Sequence, residues 1–138
     1  MSKVLHTFVV LAYKESDLLE ECIKSVLNQT TKTNVVIATS TPNDFISKLA
    51  KKYNLKIKVN KGKKGIGYDF DFASNCVESE LVTIAHQDDI YDNTYAEEVI
   101  KQYKKYPKAT ILFTDYYEIR NDKKVITNTF FSFVYFYF

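Results

Sequence analysis

Short apolar runs mark where the chain is expected to form strands. The runs at residues 4–12, 34–38 and 81–85 are nearly continuous, which is typical of parallel strands covered on both faces. Residues 55–59, Leu-Lys-Ile-Lys-Val, instead alternate between apolar and basic. This alternation predicts a strand with one wet face at the edge of a sheet. His6, within the first run, is interpreted as a packed histidine and not as a ligand.

Between these runs, apolar residues recur at the three- and four-residue spacing of amphipathic helices. The predicted helical segments are residues 17–29, 41–53, 68–77 and 94–106. Ser16 or Asp17 is expected to cap the first segment, and Pro42 to occupy the first helical position of the second. Strand and helix thus alternate four times. The pattern predicts an α/β fold with a doubly wound, mostly parallel sheet, right-handed crossovers and helices on both faces.

The C-terminal third carries a different pattern. Residues 109–115 are interpreted as a fifth strand, and residues 116–120 and 123–127 as a hairpin around Asn121-Asp122. Residues 130–138 contain one serine among eight aromatic or apolar residues. Either they form a final core strand, or the chain has been cut or frameshifted near Thr129, which is the interpretation favoured. The expected organisation is therefore a domain over residues 1–129 followed by an aromatic tail over 130–138.

Composition excludes some classes of function. The net charge is only +2, from 19 basic and 17 acidic residues, so no global field favours nucleic acid as a partner. The apolar run from Val4 lacks a small-residue cleavage site, so no signal peptide is expected and the location is predicted to be cytoplasmic. The two cysteines, Cys22 and Cys76, fall on predicted helices beside apolar residues. They are expected to be buried free thiols.

The strongest candidate chemistry lies where the run at residues 81–85 meets two adjacent acids, Asp88 and Asp89. Ligand crevices of open parallel sheets lie outside the carboxyl ends of the strands, and carboxylates there can hold Mg²⁺ or Mn²⁺ against a diphosphate. The alternative is that both are solvated acids before a helix N-terminus, where negative charge is favoured anyway. On spacing alone, both interpretations stay open.

All three glycines lie within residues 60–67, Asn-Lys-Gly-Lys-Lys-Gly-Ile-Gly. Such clustering indicates a sharp turn or a close approach of the backbone to another group. The lysines make an anion contact plausible, although the segment is not a Walker loop and three glycines in this order are a weak dinucleotide signal. A solvated basic loop is the equally weighted alternative.

Two further motifs give the chain a resemblance. The turn Ala12-Tyr-Lys-Glu15 is followed by Leu19-Glu-Glu-Cys-Ile-Lys-Ser-Val-Leu-Asn-Gln-Thr30, and the acids lie within His86-Gln-Asp-Asp-Ile-Tyr91. In this order they resemble the family 2 glycosyltransferases of the GT-A, Rossmann-like fold, over about residues 4–127. The class of substrate is inferred from this resemblance and not from the periodicity of apolar residues.

The resemblance implies a domain that binds a nucleotide-diphosphate sugar, here a UDP- or dTDP-sugar, and transfers the sugar with inversion to a saccharide or lipid-linked acceptor. The residues expected to contact the nucleotide sugar are Ala12, Tyr13, Glu15, Thr39, Gln87 and Asp88. Asp88 is expected to bind Mn²⁺ or Mg²⁺, with His86 as a second ligand. The implied setting is bacterial polysaccharide biosynthesis, and peripheral association with the inner face of the membrane is left open.

The sequence departs from the family's pattern at three points. His86 stands where the metal motif usually has its first aspartate, which puts the choice of metal in doubt. Thr39 and Ser40 stand where paired acids usually follow the second strand. In the family the catalytic base and the acceptor-binding half lie downstream of the hairpin, so this short chain is expected to be inactive by itself. A non-catalytic nucleotide-binding or interaction module is the alternative, and a nucleotidyltransferase is a weaker one.

Overall fold

The structure is a computed structural model that describes residues 4–121 and 123–126. The described residues form two compact units, divided between Ile100 and Lys101. The expected domain boundary at residue 129 and the aromatic tail at 130–138 lie outside the described residues.

The N-terminal unit is built on a four-stranded sheet. Its strands are β1 (His6–Leu11), β2 (Asn34–Thr39), β3 (Lys56–Val59) and β4 (Leu81–His86). They lie in the order β3-β2-β1-β4, and every neighbouring pair is parallel. The alternating segment thus forms an edge strand, as predicted. The carboxyl ends of β1, β2 and β4 meet in register, with Leu11 opposite Ala38 on one side and His86 on the other.

Helices cover both faces of this sheet, which confirms the predicted α/β class. They are α1 (Leu19–Leu27), α2 (Asp44–Lys52), α3 (Ile66–Asn75) and α4 (Tyr95–Lys105). Successive residues of a strand point to opposite faces. Phe8 and Val10 therefore pack in one core with α1, α2 and the start of α4, while Val9 packs with Ala73 of α3 in the other. None of the helices in the described part of the chain is long and apolar enough to cross a membrane.

His6 is fully buried in β1, as its interpretation as a packed residue requires. Its Nε2 atom lies 2.8 Å from the Thr83 hydroxyl of β4, and its ring packs edge-on against Phe8 at 4.6 Å between centroids. Its Nδ1 atom is buried with no hydrogen-bond partner in the described structure. Burial lowers the pKa of His6 from 6.5 to about 4, because a charged imidazolium would lose its hydration there.

The predicted starts of α1 and α2 are each wrong by one or two residues. The N-cap of α1 is Leu18, without a side-chain cap; the Ser16 hydroxyl accepts a hydrogen bond from the Leu18 amide instead. The N-cap of α2 is Asn43, whose side chain accepts from the Ile46 amide at 2.9 Å. Pro42 therefore precedes the cap, since Asn43 satisfies an amide that would otherwise be left unpaired at the helix start.

In the C-terminal unit the predicted hairpin is confirmed. Strands β5 (Tyr117–Arg120) and β6 (Lys123–Ile126) pair antiparallel. The predicted fifth strand at 109–115 is wrong, since those residues form no continuous strand and only Ile111 makes an isolated bridge. An apolar run becomes a strand only when a neighbouring strand offers it a ladder, and the pattern of residues does not supply that information.

Candidate functional site

A cleft of about 410 Å³ opens at the carboxyl ends of β1, β2 and β4, beside the start of α3. This is the position at which open parallel sheets bind ligands. The residues that line it are Leu11, Ala12, Tyr13, Thr39, Ser40, Thr41, Lys64, Gly65, Ile66, Asp69, Phe70, His86, Gln87 and Asp88. Residues from three strand ends and from the glycine-containing loop are thus brought to one site.

Six of the seven residues predicted from the sequence line this cleft. They are Ala12, Tyr13, Thr39, His86, Gln87 and Asp88. The seventh, Glu15, is exposed to solvent and is not among the residues that line the cleft. Ala12 and Thr39 are almost completely buried, so they shape the floor, whereas Tyr13 is 53% exposed and presents its ring.

The side chain of Gln87 joins two of these strand ends. Its Oε1 atom accepts a hydrogen bond from the Tyr13 amide at 2.9 Å, and its Nε2 atom donates to the Tyr13 carbonyl at 3.2 Å. Both functional groups of the amide are therefore engaged with the backbone. Gln87 was predicted to contact the nucleotide sugar; in this structure it holds the Tyr13 segment against the end of β4.

A second set of bonds fixes the end of β1 against the end of β2. The Thr41 hydroxyl accepts from the Lys14 amide at 2.6 Å, and the Thr41 amide donates to the Thr39 hydroxyl at 3.0 Å. Lys14 has a φ of 55°, a backbone conformation that residues other than glycine seldom adopt. The hydrogen bond from its amide to Thr41 stabilises this turn.

Asp69, in the first turn of α3, is a carboxylate in the cleft that sequence reasoning missed. Its Oδ2 atom accepts from the Ser40 hydroxyl at 2.9 Å, and its Oδ1 atom accepts from the Asn60 side-chain amide at 2.9 Å. Ser40 and Asn60 are themselves buried. The side chain of Asp69 is therefore held from two directions, at the end of β2 and at the end of β3.

Asn60 also shapes the glycine-containing loop. Its Oδ1 atom accepts from the Gly62 amide at 2.9 Å, and its Nδ2 atom donates to the Lys63 carbonyl at 3.1 Å. Gly65 is the N-cap of α3 and has a φ of 127°, which requires glycine. Gly65 and Lys64 line the cleft, so this part of the loop is close enough to contact an anion there.

Asp88 and Asp89 lie in a tight turn after β4, in which the Asp89 amide donates to the His86 carbonyl at 3.1 Å. Asp88 lines the cleft and is exposed. Partial loss of hydration raises the pKa of Asp89 and the neighbouring charge of Asp88 adds to the rise, while His86 opposes it. The turn thus presents one acid to the cleft and keeps the second beside it.

Two of the side chains that line the cleft are of types that can bind a metal ion. Within residues 4–121 and 123–126, no three His, Cys, Asp or Glu side chains are close enough together to hold a metal ion. Asp88 and His86 do line the same cleft. Mg²⁺ is typically bound by one or two carboxylates and completes its coordination with substrate phosphate oxygens and water. Asp88 offers one such carboxylate, whereas His86 offers an imidazole, which suits Mn²⁺ better than Mg²⁺. The pair does not form a structural metal site.

Helix α1 supports the turn that carries Asp88. The buried Cys22 thiol donates to the His86 carbonyl at 3.1 Å, and the Ser25 hydroxyl accepts from the Tyr91 amide at 3.1 Å. Burial raises the pKa of Cys22 to about 12, and the charges of Asp89 and Asp88 add to the rise. Cys22 is therefore an inert thiol under the turn. Both cysteines are free, but Cys76 is only partly buried, unlike its prediction.

The residues just after the same helix continue this support. Gln29 donates from Nε2 to the Asp92 carbonyl at 2.8 Å and to the Ser25 carbonyl at 3.1 Å, and its Oε1 atom accepts from the Ala96 amide at 2.9 Å. The Thr30 hydroxyl donates to Glu97 at 2.8 Å. The polar residues of the motif at 19–30 thus hold the connection between β4 and α4.

Comparison with known proteins gives a family match and three solved structures of similar fold. Residues 7–138 match the family described as Glycosyl transferase family 2. No curated protein matches the sequence. Among solved structures, two crystal structures of S. aureus TarS are similar, at 17% identity with a TM-score of 0.71 and, for TarS 1-349, at 18% with 0.73. The mannosyltransferase PcManGT from Pyrobaculum calidifontis, in complex with GDP-Man and Mn²⁺, is similar at 17% identity with a TM-score of 0.68.

These three likenesses cover most of this chain and a smaller part of each relative. The matched share of this chain is 88%, 92% and 85%, in the same order, and the matched share of the other chains is 23%, 40% and 36%. At such identities the comparison establishes a shared GT-A fold. The chain spans less than half the length of the structures it matches.

Proposed function

Since this chain belongs to glycosyl transferase family 2, we propose that its cleft binds the nucleotide-diphosphate part of a sugar donor. One observation carries the proposal: six residues chosen from the sequence, which come from three segments distant from one another along the chain, line a single cleft at the carboxyl ends of β1, β2 and β4. Similarity to a mannosyltransferase whose structure contains GDP-Man and Mn²⁺ supports it.

In this proposal each wall of the cleft has a role. The exposed ring of Tyr13 and the end of β2 at Thr39 receive the nucleoside. Asp88 and His86 would hold a divalent cation, Mn²⁺ or Mg²⁺, beside the diphosphate. When bound, such a cation supplies positive charge that stabilises the leaving diphosphate. Gln87 positions the Tyr13 segment relative to Asp88 through its two hydrogen bonds.

We propose inverting transfer of the sugar to a saccharide or lipid-linked acceptor, in bacterial polysaccharide biosynthesis. Such transfer needs a base that takes the proton of the acceptor hydroxyl. The acids that line the cleft are Asp69 and Asp88; the first is held by Ser40 and Asn60, and the second is assigned to the metal. We therefore assign donor binding, and no catalytic base, to the described residues, and expect no transfer by this chain alone. A lipid-linked acceptor would bring the domain to the cytoplasmic face of a membrane.

The test is calorimetric titration of the full chain with UDP and dTDP, each with and without Mn²⁺. Mn²⁺ is expected to strengthen binding by about tenfold or more, which corresponds to about 1.4 kcal/mol, because a bound cation offsets the repulsion between the diphosphate and the Asp88 carboxylate. In Asp88→Ala this dependence on Mn²⁺ is expected to disappear.

Asp17→Ala is the matched control, because Asp17 is exposed and is not among the residues lining the cleft, so the same charge is removed elsewhere. Circular dichroism spectra establish that each variant is folded. Unchanged Mn²⁺ dependence in Asp88→Ala would contradict the assignment of the metal ligand. Absence of binding by the folded wild-type chain would contradict the donor site and favour the non-catalytic interaction module.

A further inference from the structure

We propose that Asp69 selects the nucleobase of the donor, by accepting a hydrogen bond from a ring N–H group of uracil, thymine or guanine. The inference rests on the proposed donor site and adds the class of nucleotide that it accepts. Asp69 lines the cleft together with Tyr13 and the end of β2. It is the one acid in the lining other than Asp88, among the described residues, and it comes from a different wall.

The hydrogen bonds of Asp69 leave it both fixed and able to accept more. Ser40 donates to one carboxylate oxygen and Asn60 to the other, each at 2.9 Å. A carboxylate offers about four acceptor positions, so these two bonds use roughly half of them. Because both donors are buried, the carboxylate is held in one orientation before a ligand arrives. An acceptor that is fixed in advance discriminates between ligands at a low cost in entropy.

An acceptor-only group distinguishes the bases by one position on the ring. Uracil, thymine and guanine present a ring N–H between or beside carbonyl groups, whereas cytosine and adenine have a bare ring nitrogen at the corresponding position. A carboxylate opposite that bare nitrogen would place two acceptors against each other. Leaving a buried polar group unpaired in this way costs more than the loss of one bond. Asp69 therefore favours UDP or dTDP over CDP, and GDP over ADP.

Replacement by asparagine should reverse this preference without removing the support. The group of Asn60 that faces residue 69 is its side-chain Nδ2, which can only donate. An asparagine at 69 must therefore turn its side-chain oxygen toward Asn60. Its NH₂ group then lies toward Ser40, whose hydroxyl can accept as well as donate. The group presented to the cleft on that side thus changes from an acceptor to a donor, which suits the bare ring nitrogen of cytosine.

The experiment is calorimetric titration of the full chain with UDP, dTDP, CDP, GDP and ADP in the presence of Mn²⁺. If the donor carries uracil or thymine, the wild-type chain is expected to bind UDP and dTDP about tenfold or more tightly than CDP. If the donor carries guanine, the chain is expected to bind GDP more tightly than ADP by the same factor. In Asp69→Asn the preferred ratio is expected to fall by about tenfold or more, with a gain for the base that was rejected. Asp71→Asn is the matched control, since Asp71 is exposed on the same helix and loses the same charge.

The outcomes separate this inference from the proposed donor site. Equal binding of UDP and CDP together with equal binding of GDP and ADP would overturn the role of Asp69 and leave the donor site standing. The same change of ratio in Asp71→Asn would also overturn it, because the effect would then come from charge. Binding of none of the five nucleotides by the folded chain would overturn both.

Discussion

Protonation of His6 should destabilise the fold as the pH falls below about 6.5, and the size of the loss follows from the burial of its ring. In the unfolded chain the imidazole titrates near 6.5, whereas in the folded protein its pKa is about 4. Between these values the unfolded state binds more protons than the folded state, so the free energy of unfolding rises with pH and falls on acidification. The loss is about 2 kcal/mol by pH 5 and about 3 kcal/mol by pH 4, at 1.36 kcal/mol for each pKa unit.

The physical cause is the surroundings of the ring. A protonated His6 would carry N–H groups on both nitrogens, and Nδ1 has no acceptor in the described structure. The other nitrogen contacts a hydroxyl, and Phe8 covers the ring. A charge there would be neither hydrated nor paired, which a buried group avoids by remaining neutral.

Urea unfolding followed by far-ultraviolet circular dichroism measures this effect, since the chain contains no tryptophan to serve as a fluorescence probe. Profiles at pH 7.5, 6.5, 5.5 and 5.0 are compared between the wild type and His6→Gln, so that contributions from carboxylates common to both cancel. The difference in free energy between the two proteins should change by about 2 kcal/mol over this range. His86→Gln, which removes the only other histidine, should retain the wild-type slope. Parallel profiles for the wild type and His6→Gln would refute the reasoning.

Three further outcomes follow from the site. Gln29→Ala should lower the free energy of unfolding by about 2 to 3 kcal/mol, because it removes three hydrogen bonds to the backbone; it should also weaken Mn²⁺-dependent UDP binding. Glu21→Ala, at an exposed position on helix α1, should do neither, and an equal loss in both would show that the bonds of Gln29 are not the cause. His86→Asp should raise the binding of UDP with Mg²⁺ relative to that with Mn²⁺ in calorimetry, since oxygen ligands suit Mg²⁺ better than imidazole does; an unchanged ratio would argue against His86 as a ligand. Alkylation of the native chain with iodoacetamide at pH 8, followed by peptide mass spectrometry, should modify Cys76 before Cys22. The reason is that the pKa of Cys22 is about 12, so that only about 10⁻⁴ of this thiol is ionised to thiolate at pH 8. Faster labelling of Cys22 than of Cys76 would contradict the burial of Cys22.

The strands and the edge of the sheet could be predicted because each is determined by a local pattern. The continuous run that became β1 and the alternation that became β3 reflect how many faces of each strand are covered. The strand predicted at 109–115 was wrong because a local pattern does not determine pairing. Its apolar run satisfies the local requirement for a strand, but pairing depends on a neighbour that the run itself does not encode.

The candidate site was predictable only where a residue lies at a strand end. Tyr13 directly follows the apolar run at 4–12, and Asp88 lies three residues after the run at 81–85, so the topology of the sheet places both at its rim. Asp69 lies within a helix, and it enters the cleft because α3 packs beside β2 and Ser40 lies within reach. The available signal was an acid just after residues 60–67, the segment that contains every glycine of the chain. The importance of that acid became apparent only from the fold.

The bonds that hold the Asp88 turn have a consequence for the order in which this protein folds. Three of them join residues 63, 66 and 67 positions apart: Gln29 to Asp92, Ser25 to Tyr91, and Gln29 to Ala96. Contacts between residues so distant along the chain cost loop entropy and form only after the intervening elements have docked. The turn is therefore expected to acquire its shape late, once α1 and β4 lie side by side. A peptide that contained the acids but lacked α1 would carry the motif without its geometry.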